Sequence, residues 1–168
     1  MTTAAIPRPR PAPAPWPEQA LSGGCVVMLA LVLAGVWRGR GQLAGQPWAI
    51  QAHLAAVILA LTLTPVMLLP RKGTPRHRVL GYVWLLAMAA TAGVSLFVRV
   101  LNPGHFSPIH ILSLFVLIQV PLIVYRARTH QIAQHQRAVR LMVLGALLIA
   151  GAFTFPFNRL LGRWLFGG

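Results

Sequence analysis

Six histidines, His53, His77, His105, His110, His130 and His135, are the side chains of this chain best suited to chemistry. Imidazole titrates nearest neutral pH and is a common ligand for transition metals. Other reactive types are scarce. Glu18 is the one acidic residue and Cys25 the one cysteine, so no carboxylate pair, Cys-x-x-Cys motif or intrachain disulfide can form. No Gly-x-Gly-x-x-Gly, Walker or His-Glu-x-x-His string occurs. No acid, base and nucleophile cluster marks an enzyme, and the sequence leaves that question open.

The elements that must position these histidines are apolar helices. Charged residues make up 10% of the chain and hydrophobic ones 57%, whereas about a quarter of a soluble domain is charged. Uncharged runs cover Gln19–Trp37, Gly41–Pro70, Val79–Val98, Val100–Tyr125 and Leu141–Asn158. A membrane span needs about 20 residues. The fold class expected is therefore all-α, an integral membrane bundle of five transmembrane helices. Their expected bounds are Leu21–Trp37, Trp48–Leu69, Val79–Leu101, Ile109–Tyr125 and Arg137–Phe155. The last four form a histidine-bearing core, and the first is an N-terminal addition. Pro65 and Pro121 fall inside spans, where bends are expected.

Residues 1–20 read differently. Pro7, Pro9, Pro11, Pro13, Pro15 and Pro17 alternate with other residues, which favours polyproline II or disorder over helix. The expected organisation is a disordered cytoplasmic arm, 1–20, before a single transmembrane domain, 21–168. A signal peptide is the rival reading. The uncharged run of 19 residues from Gln19 to Trp37 is longer than a usual signal core. No small-x-small cleavage site follows it, and a retained helix is expected.

The net charge of +14 does not point to nucleic acid. The cations lie in short clusters between apolar runs and make no continuous basic face. They fit loops beside an anionic lipid surface. Ten fall on the side of the N-terminal arm and five opposite. The positive-inside rule then puts the N-terminus in the cytoplasm and the C-terminus outside. Trp37, Trp48, Tyr125 and Trp164 fall near expected interfaces, as in an aromatic belt.

On that topology the histidines sort by depth. His53 lies about one turn into the second helix, and His110 begins the fourth, both on the outer side. His77 precedes the third helix and His135 the fifth, both on the inner side. Facing imidazoles at one depth are what a b-type haem needs as axial ligands. Two such pairs would carry an electron across a bilayer in steps. The haem-iron ligands expected are His53 with His110, and His77 with His135. Small residues one to three turns from a ligand, Ala56, Ala60 and Thr64 after His53 and Gly81 after His77, leave room for a macrocycle or for close helix packing. Arg76, Arg78 and Arg140 could pair with propionates or serve as orienting loop charge. His105 and His130 read as loop residues.

The chain resembles a group of bacterial multi-pass proteins known as domain of unknown function 2306. The resemblance spans roughly Trp48 to Gly162. It rests on Lys72-Gly73-Thr74-Pro75-Arg76-His77-Arg78-Val79-Leu80-Gly81, on Ser107-Pro108-Ile109-His110 and on Gln134-His135-Gln136-Arg137. It implies location in a bacterial inner membrane and no particular activity. The histidines on four consecutive helices are also similar, at the level of topology, to transmembrane di-haem cytochromes b. That similarity implies an electron carrier with a redox partner or a larger membrane complex. The alternative is a cofactor-free accessory or structural subunit, or a small transporter. The spans lack acidic residues and an internal repeat, which favours an accessory role over transport.

Overall fold

The computed structural model describes residues 14–97, 108–156 and 158–167. The expected disorder of residues 1–13, the expected end of the third span at Leu101 and the expected loop position of His105 lie outside them. The described residues contain helices and no strand. The elements are α1 (Trp16–Arg38), a short α2 (Arg40–Leu43), α3 (Trp48–Leu68), α4 (Pro75–Ser95), α5 (Pro108–Arg128) and α6 (Ile132–Met142). A π-helical segment (Val143–Ile149), α7 (Ala150–Ala152) and α8 (Leu160–Phe166) follow.

Four of these, α1, α3, α4 and the His110–Arg128 part of α5, are long and apolar enough to cross a bilayer. At 1.5 Å per residue each is about 30 Å long. Apolar residues surround each of the four, because one face meets its neighbours and the other meets lipid. Leu86 (71% exposed) and Ile111 (74%) show the outer face. The chain is thus a multi-pass integral membrane protein in contact with lipid.

The fifth expected span, Arg137–Phe155, is divided in the structure. α6 passes into the π segment and then into α7, while the backbone at both junctions stays right-handed helical. α6 itself is polar, with Arg137 exposed and only Ala138, Val139 and Met142 buried. The wider π turn rotates the chain so that Val143 and Leu147 both face inward.

α1 packs on α3, α3 on α4, α4 on α5 and α5 on α6; the π segment returns to α1 and α3 and closes the ring. The inward stripe of α1 is Glu18, Ser22, Cys25, Met28, Val32 and Gly35, a spacing of three or four residues that holds one helix face toward its partners. At its centre the Trp84 indole N–H donates to Thr64 Oγ1 at 3.0 Å, and that hydroxyl donates to the Ala60 carbonyl at 2.7 Å. The Ala60 and Thr64 stripe, read as room for a macrocycle or as close helix packing, is fully buried, with Thr64 bonded to α4, as packing requires. Cys25 is fully buried beside Thr64.

Three boundaries differ from expectation. α1 starts at Trp16, inside the stretch read as disordered arm, because Pro17 occupies a first-turn position where its missing N–H costs nothing. α4 starts at Pro75, four residues before Val79, because Thr74 Oγ1 accepts from the His77 backbone N–H at 3.1 Å and caps the turn. α6 starts at Ile132, placing His135 within a helix and not ahead of one. α8 was not expected at all. It lies against the end of α1, where Trp164 is 6% exposed. Its indole N–H donates to Gln42 Oε1 at 3.1 Å. Trp164 therefore belongs to the core, while Trp37, Trp48 and Tyr125 stay exposed as an interface belt requires.

Candidate functional site

The up-and-down order brings the starts of α1, α4 and α6 and the ends of α3 and α5 to one end of the bundle. Arg71, Lys72, Arg76, Arg78, Arg126, Arg128, Arg137 and Arg140 gather there, so both Arg-rich connections share one side as expected. This basic end is organised around Glu18. Its side chain is 1% exposed, and Oε1 accepts from Lys72 Nζ at 2.9 Å, Arg140 Nη2 at 2.6 Å and Arg140 Nε at 3.2 Å. Three distant segments, the first turn of α1, the α3–α4 loop and α6, meet on one carboxylate. Arg140, weighed from sequence as a propionate partner or orienting charge, here gives Nε and Nη2 to Glu18. Oε2 of Glu18 and Oγ of Ser22, one turn further along α1, are buried with no protein hydrogen-bond partner.

Sequence reasoning missed Glu18 because it fell in the proline-rich stretch. A signal was present. Pro17-Glu18 is the pair favoured in a first helical turn, and a single acid among 15 cations has a strong reason to be placed.

His77, in the first turn of α4, and His135, in the first turn of α6, also lie at the basic end. His77 bonds through its ring to the Met67 backbone carbonyl, and His135 Nδ1 lies 3.1 Å from the Ile123 carbonyl oxygen. A carbonyl only accepts, so Nδ1 of His135 carries a proton, and in the neutral ring Nε2 is the nitrogen with the lone pair. Both residues of the expected inner pair thus lie at the same end of the bundle, each with its own backbone partner. Around Gly81, one turn from His77, a Cβ would meet no atom within 4 Å.

The far end is built differently. A cleft of about 110 Å³ opens between α1, α3, α4, α5, the π segment, α7 and α8. Its walls are apolar or small, including Met28, Val57, Met88, Ala92, Ala146 and Ala150. His53 lines it. Its Nδ1 lies 3.0 Å from the Thr91 carbonyl of α4, which again leaves Nε2 as the lone-pair nitrogen. Ser95 and Ser113 hydrogen-bond across the same wall. His110 begins α5, is 5% exposed and has its own contacts. It does not line the cleft. His130, with φ 58° after the end of α5, sits in an exposed turn as expected.

Among the described residues, no group of three or more His, Cys, Asp or Glu side chains could hold a metal ion. A bis-imidazole haem needs only two such ligands. No family model, curated protein or solved structure matches the chain. The likenesses to domain of unknown function 2306 and to di-haem cytochromes b therefore rest on the residues alone.

Proposed function

We propose that this membrane protein is an electron carrier holding b-type haem through His53 and His110 at the far end and His77 and His135 at the basic end. The observation that carries the reading is the pinned imidazole. His53 and His135 each give Nδ1–H to a carbonyl on a neighbouring helix, the arrangement that orients a ligating histidine and raises the basicity of Nε2. The cleft beside His53 is smaller than a macrocycle, so in this reading its alanine-lined walls move apart as haem enters; beside Gly81 a Cβ would meet open space. When bound, haem supplies one-electron chemistry. The chain's own part is to fix the ring planes, hold the ligands at two depths and exclude water with apolar walls.

In this reading the α6–π–α7 run is the fifth crossing, with α6 entering from the headgroup layer and the π segment and α7 filling the depth. The basic end is cytoplasmic in a bacterial inner membrane, and a redox partner docks at either face.

A second reading is favoured by one observation. The rings of His53, His77 and His135 are each satisfied by a backbone carbonyl. The bundle then needs no cofactor and serves as an accessory subunit. A visible spectrum before and after dithionite separates the two. The carrier shows a sharp Soret band and split visible bands on reduction. His53→Ala removes the far-end signal and His77→Ala the basic-end one, while His130→Ala leaves both. A colourless, folded preparation from haem-replete cells refutes the carrier.

A further inference from the structure

The cations of the basic end are unevenly served. Glu18 is the only acidic side chain in the sequence, and it is buried against Lys72 and Arg140, out of reach of the exposed arginines. No carboxylate side chain remains for Arg78 or Arg128, and both are exposed. Arg128 is held in place nonetheless. Arg128, at the end of α5, donates from Nη2 to the Tyr82 hydroxyl of α4 at 3.3 Å. Arg78 lies one turn from Tyr82 on the same face of α4. α4 and α5 pack directly against one another, so these groups flank a groove between two spans.

We propose that this groove seats an anionic phospholipid, with its phosphate between Arg78, Arg128 and the Tyr82 hydroxyl and an acyl chain lying along the two helices. The chemistry is complementary at both levels. A guanidinium has five N–H donors, and Arg128 uses one on Tyr82, which leaves a fork for phosphate oxygens. The Tyr82 hydroxyl accepts from Arg128 and keeps its own proton to donate. Deeper along the same face of α4, Leu86 is 71% exposed and offers apolar surface to an acyl chain. Tyr82 and Tyr125 are 49% and 59% exposed, and mark the level where ring and headgroup meet. A basic pocket between spans on the cytoplasmic side is the kind of place that binds acidic headgroups. The proposal is independent of haem.

The test is competitive lipid retention. The intact protein in detergent is given equal phosphatidylglycerol and phosphatidylcholine of matched chains, and bound lipid is counted by native mass spectrometry. Phosphatidylglycerol is retained preferentially, and the R78Q/R128Q variant loses that preference by roughly fivefold per arginine. R71Q/R137Q, whose arginines lie in the α3–α4 loop and on α6, keeps it. Inorganic phosphate at equal concentration does not displace the lipid, because it lacks the acyl chain. Y82F, which removes one hydroxyl and leaves the fold undisturbed, reduces the preference and decides the matter if R78Q/R128Q fails to fold. An unchanged preference in R78Q/R128Q or Y82F, an equal loss in R71Q/R137Q, or displacement by phosphate overturns the proposal.

Discussion

The two ends of this bundle are held by opposite means. At the basic end a single carboxylate draws three segments together through charge. At the far end the contacts are of shape: α8 lies on α1 with Trp164 over Gly39, where a Cβ would fall 2.0 Å from the indole. An ion pair is economical where charged groups can still reach the water boundary, and Lys72 and Arg140 are 28% and 35% exposed. Farther from that boundary, small residues and close packing do the joining without burying charge. The cleft lies on the side held by shape, where walls of alanine and glycine leave space.

Breaking the charged end should give the largest effect. Glu18→Ala leaves Lys72 and Arg140 facing one another without their anion. A loss of about 3 kcal/mol is expected, short of the upper range because both cations keep some solvent. Unfolding in mixed micelles measures it, and a loss below about 1 kcal/mol would show the clip to be ornamental. The far end breaks through Gly162→Ala. The added Cβ would lie 1.8 Å from the Phe155 carbonyl oxygen, so α8 must shift, at about 1–3 kcal/mol. Trp164 fluorescence then moves toward that of an exposed indole.

Filling the cleft sharpens the comparison. Ala150→Leu should alter stability by less than about 1.5 kcal/mol because space is available, yet it should remove the far-end haem signal and spare the basic-end one. Equal loss of both signals contradicts separate sites. Ser22→Ala gives the smallest effect. Its hydroxyl has no protein partner, so its removal should be neutral or stabilising by up to about 1 kcal/mol; a clear loss in a thermal melt would mean that Ser22 has a role the fold does not reveal.

What the sequence disclosed follows from what hydropathy can encode. Trp48–Leu69 was expected, and α3 is Trp48–Leu68, because an uncharged run between loop signals has only one solution. The depth of His53, one turn into that helix, was legible for the same reason. Rotation was not. No composition rule says that His53 meets the Thr91 carbonyl or that Ala60 and Thr64 lie buried toward α4. The start of α1 was missed because proline was weighed as a breaker, where a first turn accepts it; that of α4 was missed because Arg76 and Arg78 were read as loop charge. The π segment escaped because its sequence, Val-Leu-Gly-Ala-Leu-Leu-Ile, is equally suited to an α-helix. α8 is only seven residues long, too short for a periodic signal.

The long sequence distance across the Glu18 clip sets a timetable for assembly. Lys72 is 54 residues and Arg140 122 residues after Glu18. At a synthesis rate of 5–20 residues per second, the carboxylate waits about 3–11 s for its first partner and about 6–24 s for its second. During that wait an unpaired charge resists entry into lipid, and the first turn of α1 stays where water reaches it. The helix made first therefore settles to its final depth last, when α6 leaves the ribosome and closes the ring behind it.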